Sequence, residues 1–254
     1  YTVSGAQTVT NEADSATVTA VYSATGIDDT VDTNEFTKPL EIVGWTYGDT
    51  PNAPTATAKY GTIKYTYSTA ADGEYSEIVP TDAGTYYVKA TVEETDKYTG
   101  LESDAVEFVI GKKILTNDNI TDIADQTYTG SLIAPNITVS CNDVELVKNT
   151  DYTVSYSNNK NVGTATISIT GIGDYTGTIT KNFNIVARDI SDTTIGSIPN
   201  QTYTGNSISA LPVITYNGAT LTKGTDYTLT YSNNVNVGTG TVTITGKGNF
   251  KGTT

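Results

Sequence analysis

Histidine is absent from this chain, and cysteine and tryptophan occur once each. Without histidine, the commonest general base and zinc ligand are missing. Cys141 has no histidine to activate it as a nucleophile and no second cysteine for an intramolecular disulfide. No run of about 18 apolar residues occurs, so no transmembrane helix is expected. Basic residues are scarce: 14 Lys and Arg face 28 Asp and Glu, for a net charge of −14. Nucleic-acid binders displace counterions with Lys and Arg, and anionic lipid attracts the same side chains, so the sign argues against both partners. The excess is uneven, with 18 acids and 7 bases in residues 1–113 against 10 and 7 in residues 114–254. Acidity of this kind reads as solubility of an exposed protein.

Amphipathic helices are lacking too, since no window places apolar residues at i, i+3, i+4 and i+7. In their place stand 18 Tyr, many Thr and β-branched aliphatics, which favour strands. Glycine (23 residues) and abundant Asn and Asp supply turns. In "YTVSY", Tyr152, Val154 and Tyr156 share one face and Thr153 and Ser155 the other. Ala165, Ile167 and Ile169 alternate in the same way in the next strand. Asn217-Gly218 is the dipeptide that a type I′ hairpin turn prefers, and Asn142-Asp143 stands at the matching place.

Residues 121–179 match residues 196–254 at 29 of 59 positions without an insertion. A repeat of this size is a whole small domain rather than a solenoid turn. A diverged copy precedes the two, with Tyr47-Gly48-Asp49 answering Tyr128-Thr129-Gly130 and Tyr98-Thr99-Gly100 answering Tyr175-Thr176-Gly177. "TVDTNEF" (30–36) resembles "TITKNFN" (178–184), which makes the start of the chain the back half of a fourth copy. The expected modules are a partial repeat at 1–37, complete ones at 38–111 and 112–187, and one at 188–254 without its last strand. On this reading the chain is a fragment of something longer, with an open sheet edge that invites strand contacts between chains. Six or seven short strands per module describe an all-β fold of tandem β-sandwiches.

Asp82-Ala83-Gly84-Thr85-Tyr86-Tyr87-Val88 resembles the D-x-G-x-Y-x-C segment of immunoglobulin folds, with Val88 in place of the cysteine. The resemblance implies a tyrosine corner built by Asp82, Gly84 and Tyr86; Ala165 and Gly240 replace that tyrosine in the later copies. Residues 65–100 and the two "QTYTG…DYT…YSNN…NVGT…ITG" copies resemble bacterial immunoglobulin-like repeats of the MBG type. Such repeats stand in tandem in cell-surface proteins. The resemblance therefore implies an elongated rod, extracellular and attached to a bacterial cell wall, serving as a stalk or adhesin segment within a longer parent chain.

No catalytic residue and no cofactor is expected. The glycines of "GIGDYTG" and "GKGNFKG" read as turn geometry, because a strand rather than a helix follows them. Loop acids in "IDDTVDTNE" (27–35) and "NDNITD" (117–122) read as solvated charge, with calcium at module junctions as the alternative. Lys148 and Lys223 recur at matched positions, and an isopeptide crosslink would require such a lysine to be buried. Cys141 reads as a semi-buried strand residue. Trp45, Tyr47 and Tyr60 are the candidate ligand patch, since sugar rings stack on aromatic faces. Two functions follow: a spacer that presents another domain away from the cell, or an adhesion module that binds host glycan or protein through 38–111.

Overall fold

The structure, a computed structural model, describes residues 30–254. The expected strands before Thr30, the acids Asp28 and Asp29, and most of the partial repeat lie outside these residues. What is described is all-β in several sheets, consistent with β-sandwich packing, and its only helical turns are the 3-10 segments Asn117–Asn119 and Ile190–Asp192. Contacts divide the chain into two units. One holds the described residues up to Gly44 with Pro51–Pro80 and Thr85–Val109; the other holds Trp45–Thr50, Thr81–Gly84 and Ile110–Thr254.

In the first unit, Lys64–Ser68 runs antiparallel to Gly84–Val92, with Tyr67 opposite Val88. Alternation along the longer strand buries Val88, Ala90 and Val92, and Leu40, Tyr67 and Phe108 join them in the core. The first unit also encloses a polar side chain. Asn34 Oδ1 accepts the amides of Glu35 and Tyr60, and its Nδ2 donates to the Tyr60 carbonyl at 3.1 Å. Asp32 bridges to Tyr98 in parallel, as Lys113 does to Tyr175 and Arg188 to Phe250 in the second unit. In the same unit Phe36 lies opposite Ala58 and Lys38 opposite Thr57.

The second unit carries the two most similar segments. In 112–187 a four-stranded sheet runs Tyr152–Ser157, Gly163–Gly171, Thr178–Val186, Gln126–Thr127. The first three are antiparallel, and the last joins parallel to Ile185 and Val186. Ala165, Ile167 and Ile169 are fully buried, as the alternation requires. Two clusters fill this segment: one around Ile167, Ile169 and Tyr152, and one of Ile133, Ala165, Phe183 and Ile185. In 188–254 the hairpin Tyr227–Ser232 with Thr241–Gly246 repeats the register, with Tyr227 opposite Gly246 as Tyr152 is opposite Gly171. Its core of Ile190, Ile214, Tyr227, Ile244 and Phe250 matches Leu115, Val139, Tyr152, Ile169 and Tyr175 position for position.

The expected two-residue turns are present. Asn142 and Asp143 have φ of 50° and 61°, and Asn217 and Gly218 have φ of 45° and 79°. Positive φ at both central positions is the type I′ requirement. Each turn closes a short hairpin, Cys141 opposite Val144 and Tyr216 opposite Ala219.

Candidate functional site

Within the second unit, one set of contacts occurs twice, built from the loops that carry the paired-glycine motifs. In "GKGNFKG", Gly248 takes φ 65°, a left-handed conformation that glycine adopts without strain, and Asn249 follows it. Asn249 Oδ1 then accepts the Val162 amide at 2.9 Å, its Nδ2 donates to Asn161 Oδ1 at 3.2 Å, and its carbonyl accepts the Arg188 amide at 3.1 Å. In "GIGDYTG", Gly173 takes φ 62°. Asp174 Oδ1 accepts the Ala83 amide at 2.7 Å, and its carbonyl accepts the Lys113 amide at 2.9 Å.

An aromatic pair backs each polar bridge. Tyr128 meets Phe250 edge-on with ring centres 5.5 Å apart, and Tyr47 meets Tyr175 edge-on at 5.5 Å. Tyr128 packs against both the Phe183 cluster and the Phe250 cluster, so one ring belongs to two cores. A cation completes each set. Arg188 donates to the Tyr128 carbonyl at 2.8 Å, pairs with Asp192 at 2.9 Å and lies 5.5 Å over the Tyr216 ring. Lys113, its counterpart, pairs with Asp49 at 2.9 Å. The half-exposed ion pairs contribute little by themselves. The buried rings and the satisfied amides carry the stabilisation. Burial, reinforced by Tyr47 and by Cys141 and the acids nearby, pushes the Tyr175 hydroxyl up to about 12.

The candidate ligand residues have protein partners. Tyr47 is engaged with Tyr175 as above. Tyr60 stacks on Tyr98 at 5.7 Å, with the Lys59 ammonium 5.0 Å from its centre. Trp45 lies half-buried in the two-residue strand Trp45–Thr46, paired in parallel with Ile110 and Gly111. Of the corner residues, Gly84 opens the strand Gly84–Val92, Asp82 is exposed in the loop before it, and Tyr86 is half-buried with its ring 5.9 Å from Phe108.

Lys148 and Lys223 are exposed, which removes the burial that a crosslink at these lysines would require. Cys141 is buried at 7% exposure, deeper than the semi-buried position expected for it. Of the 117–122 acids, Asp122 is held by Lys181 at 2.8 Å, which lowers its carboxyl below the usual range. Among the described residues, no group of three or more Asp, Glu or Cys converges as a metal site would require.

The residues that sequence reasoning missed are Asp174, Asn249, Arg188 and the second role of Tyr128. Their signal was available. Tyr128 recurs as Tyr203, yet lies off the alternating strands that bury a module's own core. A recurrent aromatic with no place in its own hairpin points to a neighbour. Compared with known protein families, characterised proteins and solved structures, the chain matches none.

Proposed function

We propose that this chain is a non-catalytic spacer: tandem immunoglobulin-like β-sandwiches, arranged as an elongated rod, that hold another domain of a longer surface protein away from a bacterial cell. The observation that carries this reading is the duplicated contact set. Ala83 to Asp174 and Val162 to Asn249 are the same bond, and Tyr47 on Tyr175 and Tyr128 on Phe250 are the same ring contact. A binding module has reason to vary its loops. A spacer has reason to repeat its joints, because identical joints give identical steps. Of the three candidate rings Trp45, Tyr47 and Tyr60, the two tyrosines are engaged on Tyr175 and Tyr98, which supports the spacer over a glycan patch at those rings.

Small-angle X-ray scattering tests the reading. A compact chain of 254 residues has a radius of gyration of about 18 Å. Sandwich modules stacked end to end give roughly 30 Å or more, from strands of 7–8 residues plus loops. A value near the larger figure supports the spacer, and a value near the smaller one rejects it.

A further inference from the structure

Asn217 is the one asparagine of the sequence that precedes a glycine. It holds the first central position of its hairpin turn at φ 45°, and Gly218 follows at 79°. Both residues are exposed. A Cβ placed on Gly218 would meet no atom within 4 Å, so the space beside its nitrogen is open. Among the described residues, no protein group accepts the Gly218 amide. The Asn217 side chain is engaged on one atom: its Nδ2 donates to the Thr129 carbonyl at 2.9 Å. Beside it the Tyr216 hydroxyl donates to the Tyr128 carbonyl at 3.5 Å. The turn therefore grips residues 128–129 of the preceding segment, next to the ring contact of Tyr128 with Phe250.

We propose that Asn217-Gly218 is a self-modification site, at which Asn217 deamidates in the folded chain and thereby releases Thr129. The Gly218 nitrogen gives up its proton and attacks the Asn217 side-chain carbonyl carbon. A C–N bond forms and closes a five-membered succinimide. The bond from that carbon to Nδ2 breaks, and the nitrogen leaves as ammonia with the proton. Water then adds to one of the two imide carbonyls and opens the ring. Addition at the side-chain carbonyl gives aspartate, and addition at the backbone carbonyl gives isoaspartate. Water is the sole co-reactant, and nothing is oxidised or reduced. A glycine nitrogen suits the attack because no Cβ crowds it. An amide without an acceptor has no hydrogen bond to surrender before it reacts.

Either product replaces the donor at Nδ2 with a carboxylate, which cannot donate to the Thr129 carbonyl and repels it. Isoaspartate also lengthens the backbone of the turn by one carbon, which a two-residue turn between Tyr216 and Ala219 does not accommodate. The modification thus acts on the contact between turn and preceding segment. The matching turn carries its own comparison. Asn142 is also exposed and also left-handed, at φ 50°, but Asp143 follows it. The Asp143 Cβ crowds the attacking nitrogen, and its carboxylate opposes loss of the amide proton. One of two equivalent turns is therefore reactive and the other is not.

The test incubates the intact chain at pH 8 and 37 °C, folded and in urea, and follows each asparagine by peptide mass. The peptide that holds Asn217 should gain about 1 Da and contain isoaspartate. The folded chain should convert within about tenfold of the rate in urea, since an exposed turn opens locally. Exposed Asn142 and Asn206, which precede Asp143 and Ser207, should lag by about tenfold or more. Asp143→Gly gives Asn142 a glycine and should make it convert alongside Asn217. Amide shifts at residues 128–131 should change as conversion proceeds, and Asn217→Asp should reproduce the aspartate part of that change. Conversion in urea with none in the folded chain, or Asn142 keeping pace with Asn217 in the unaltered protein, overturns the site. Unchanged amides at 128–131 after conversion overturn the release of Thr129. None of these readouts depends on molecular shape, so the site and the spacer reading stand or fall separately.

Discussion

Asn249 holds Val162 through its side chain and Arg188 through its backbone, at 2.9 Å and 3.1 Å. One residue of a glycine-flanked loop thus ties residue 162 to the entry of the following segment. Asn249→Ala leaves the Val162 amide without its acceptor and should cost about 1–2 kcal/mol. Asn249→Asp keeps the acceptor oxygen and copies Asp174, so it should cost under about 1 kcal/mol. Urea unfolding of both variants gives the comparison, and equal losses would remove the acceptor role.

Tyr175 supplies a pH dependence. Its hydroxyl is raised to about 12 in the fold, by burial first and by neighbouring Tyr47 next, against about 10 unfolded. Between those values the unfolded chain has released a proton that the folded chain keeps. Stability from this group is thus fully present below about pH 10 and falls as pH rises toward 12, by about 2–3 kcal/mol in all. Tyr175→Phe places there the residue that Phe250 already is in the next segment. The variant should lose stability less steeply above pH 10, by about one proton's slope. Denaturant titrations from pH 8 to 11.5 check it; parallel curves for both proteins would refute the assignment.

The hairpin turns differ by one strained residue. Asp143 holds φ 61° where the other turn has Gly218 at 79°. Asp143→Gly relieves the left-handed conformation and should stabilise by about 0.5–1 kcal/mol. Gly218→Val should destabilise by about 1–2 kcal/mol. Thermal unfolding of the pair decides, and a destabilising Asp143→Gly contradicts the turn reading.

Asn34 is 5% exposed, and its side chain serves three backbone groups. Asn34→Ala strands the amide and carbonyl of Tyr60 and should cost about 2–4 kcal/mol. Asn34→Asp keeps the two accepted bonds and loses the donated one, so the loss should be smaller. Calorimetric melting separates the two, and a neutral Asn34→Ala would show the network to be dispensable.

The strands were legible because their information is local. Tyr152, Val154 and Tyr156 alternate with small polar residues, and half-buried sheets need no more than that. Asn217-Gly218 was legible for the same reason, since positive φ is written in residue type. The joints were not. Asp174 and Asn249 sit in loops whose glycines are explained by turns alone, and nothing in the loop names the distant amide that its side chain meets. Asn34 was missed because it stands where Leu115 and Ile190 are apolar, so its burial depends on Tyr60, 26 positions away.

Residual dipolar couplings across the second unit test the repeated joint most directly. Amides of 112–187 and 188–254 should fit one alignment tensor, because Tyr128 and Asn249 fasten the two segments into one body. Tyr128→Ala with Asn249→Ala should split that fit in two. Two tensors of different magnitude in the unaltered protein would mean that the segments move independently, and the joint would not be the device that sets the step.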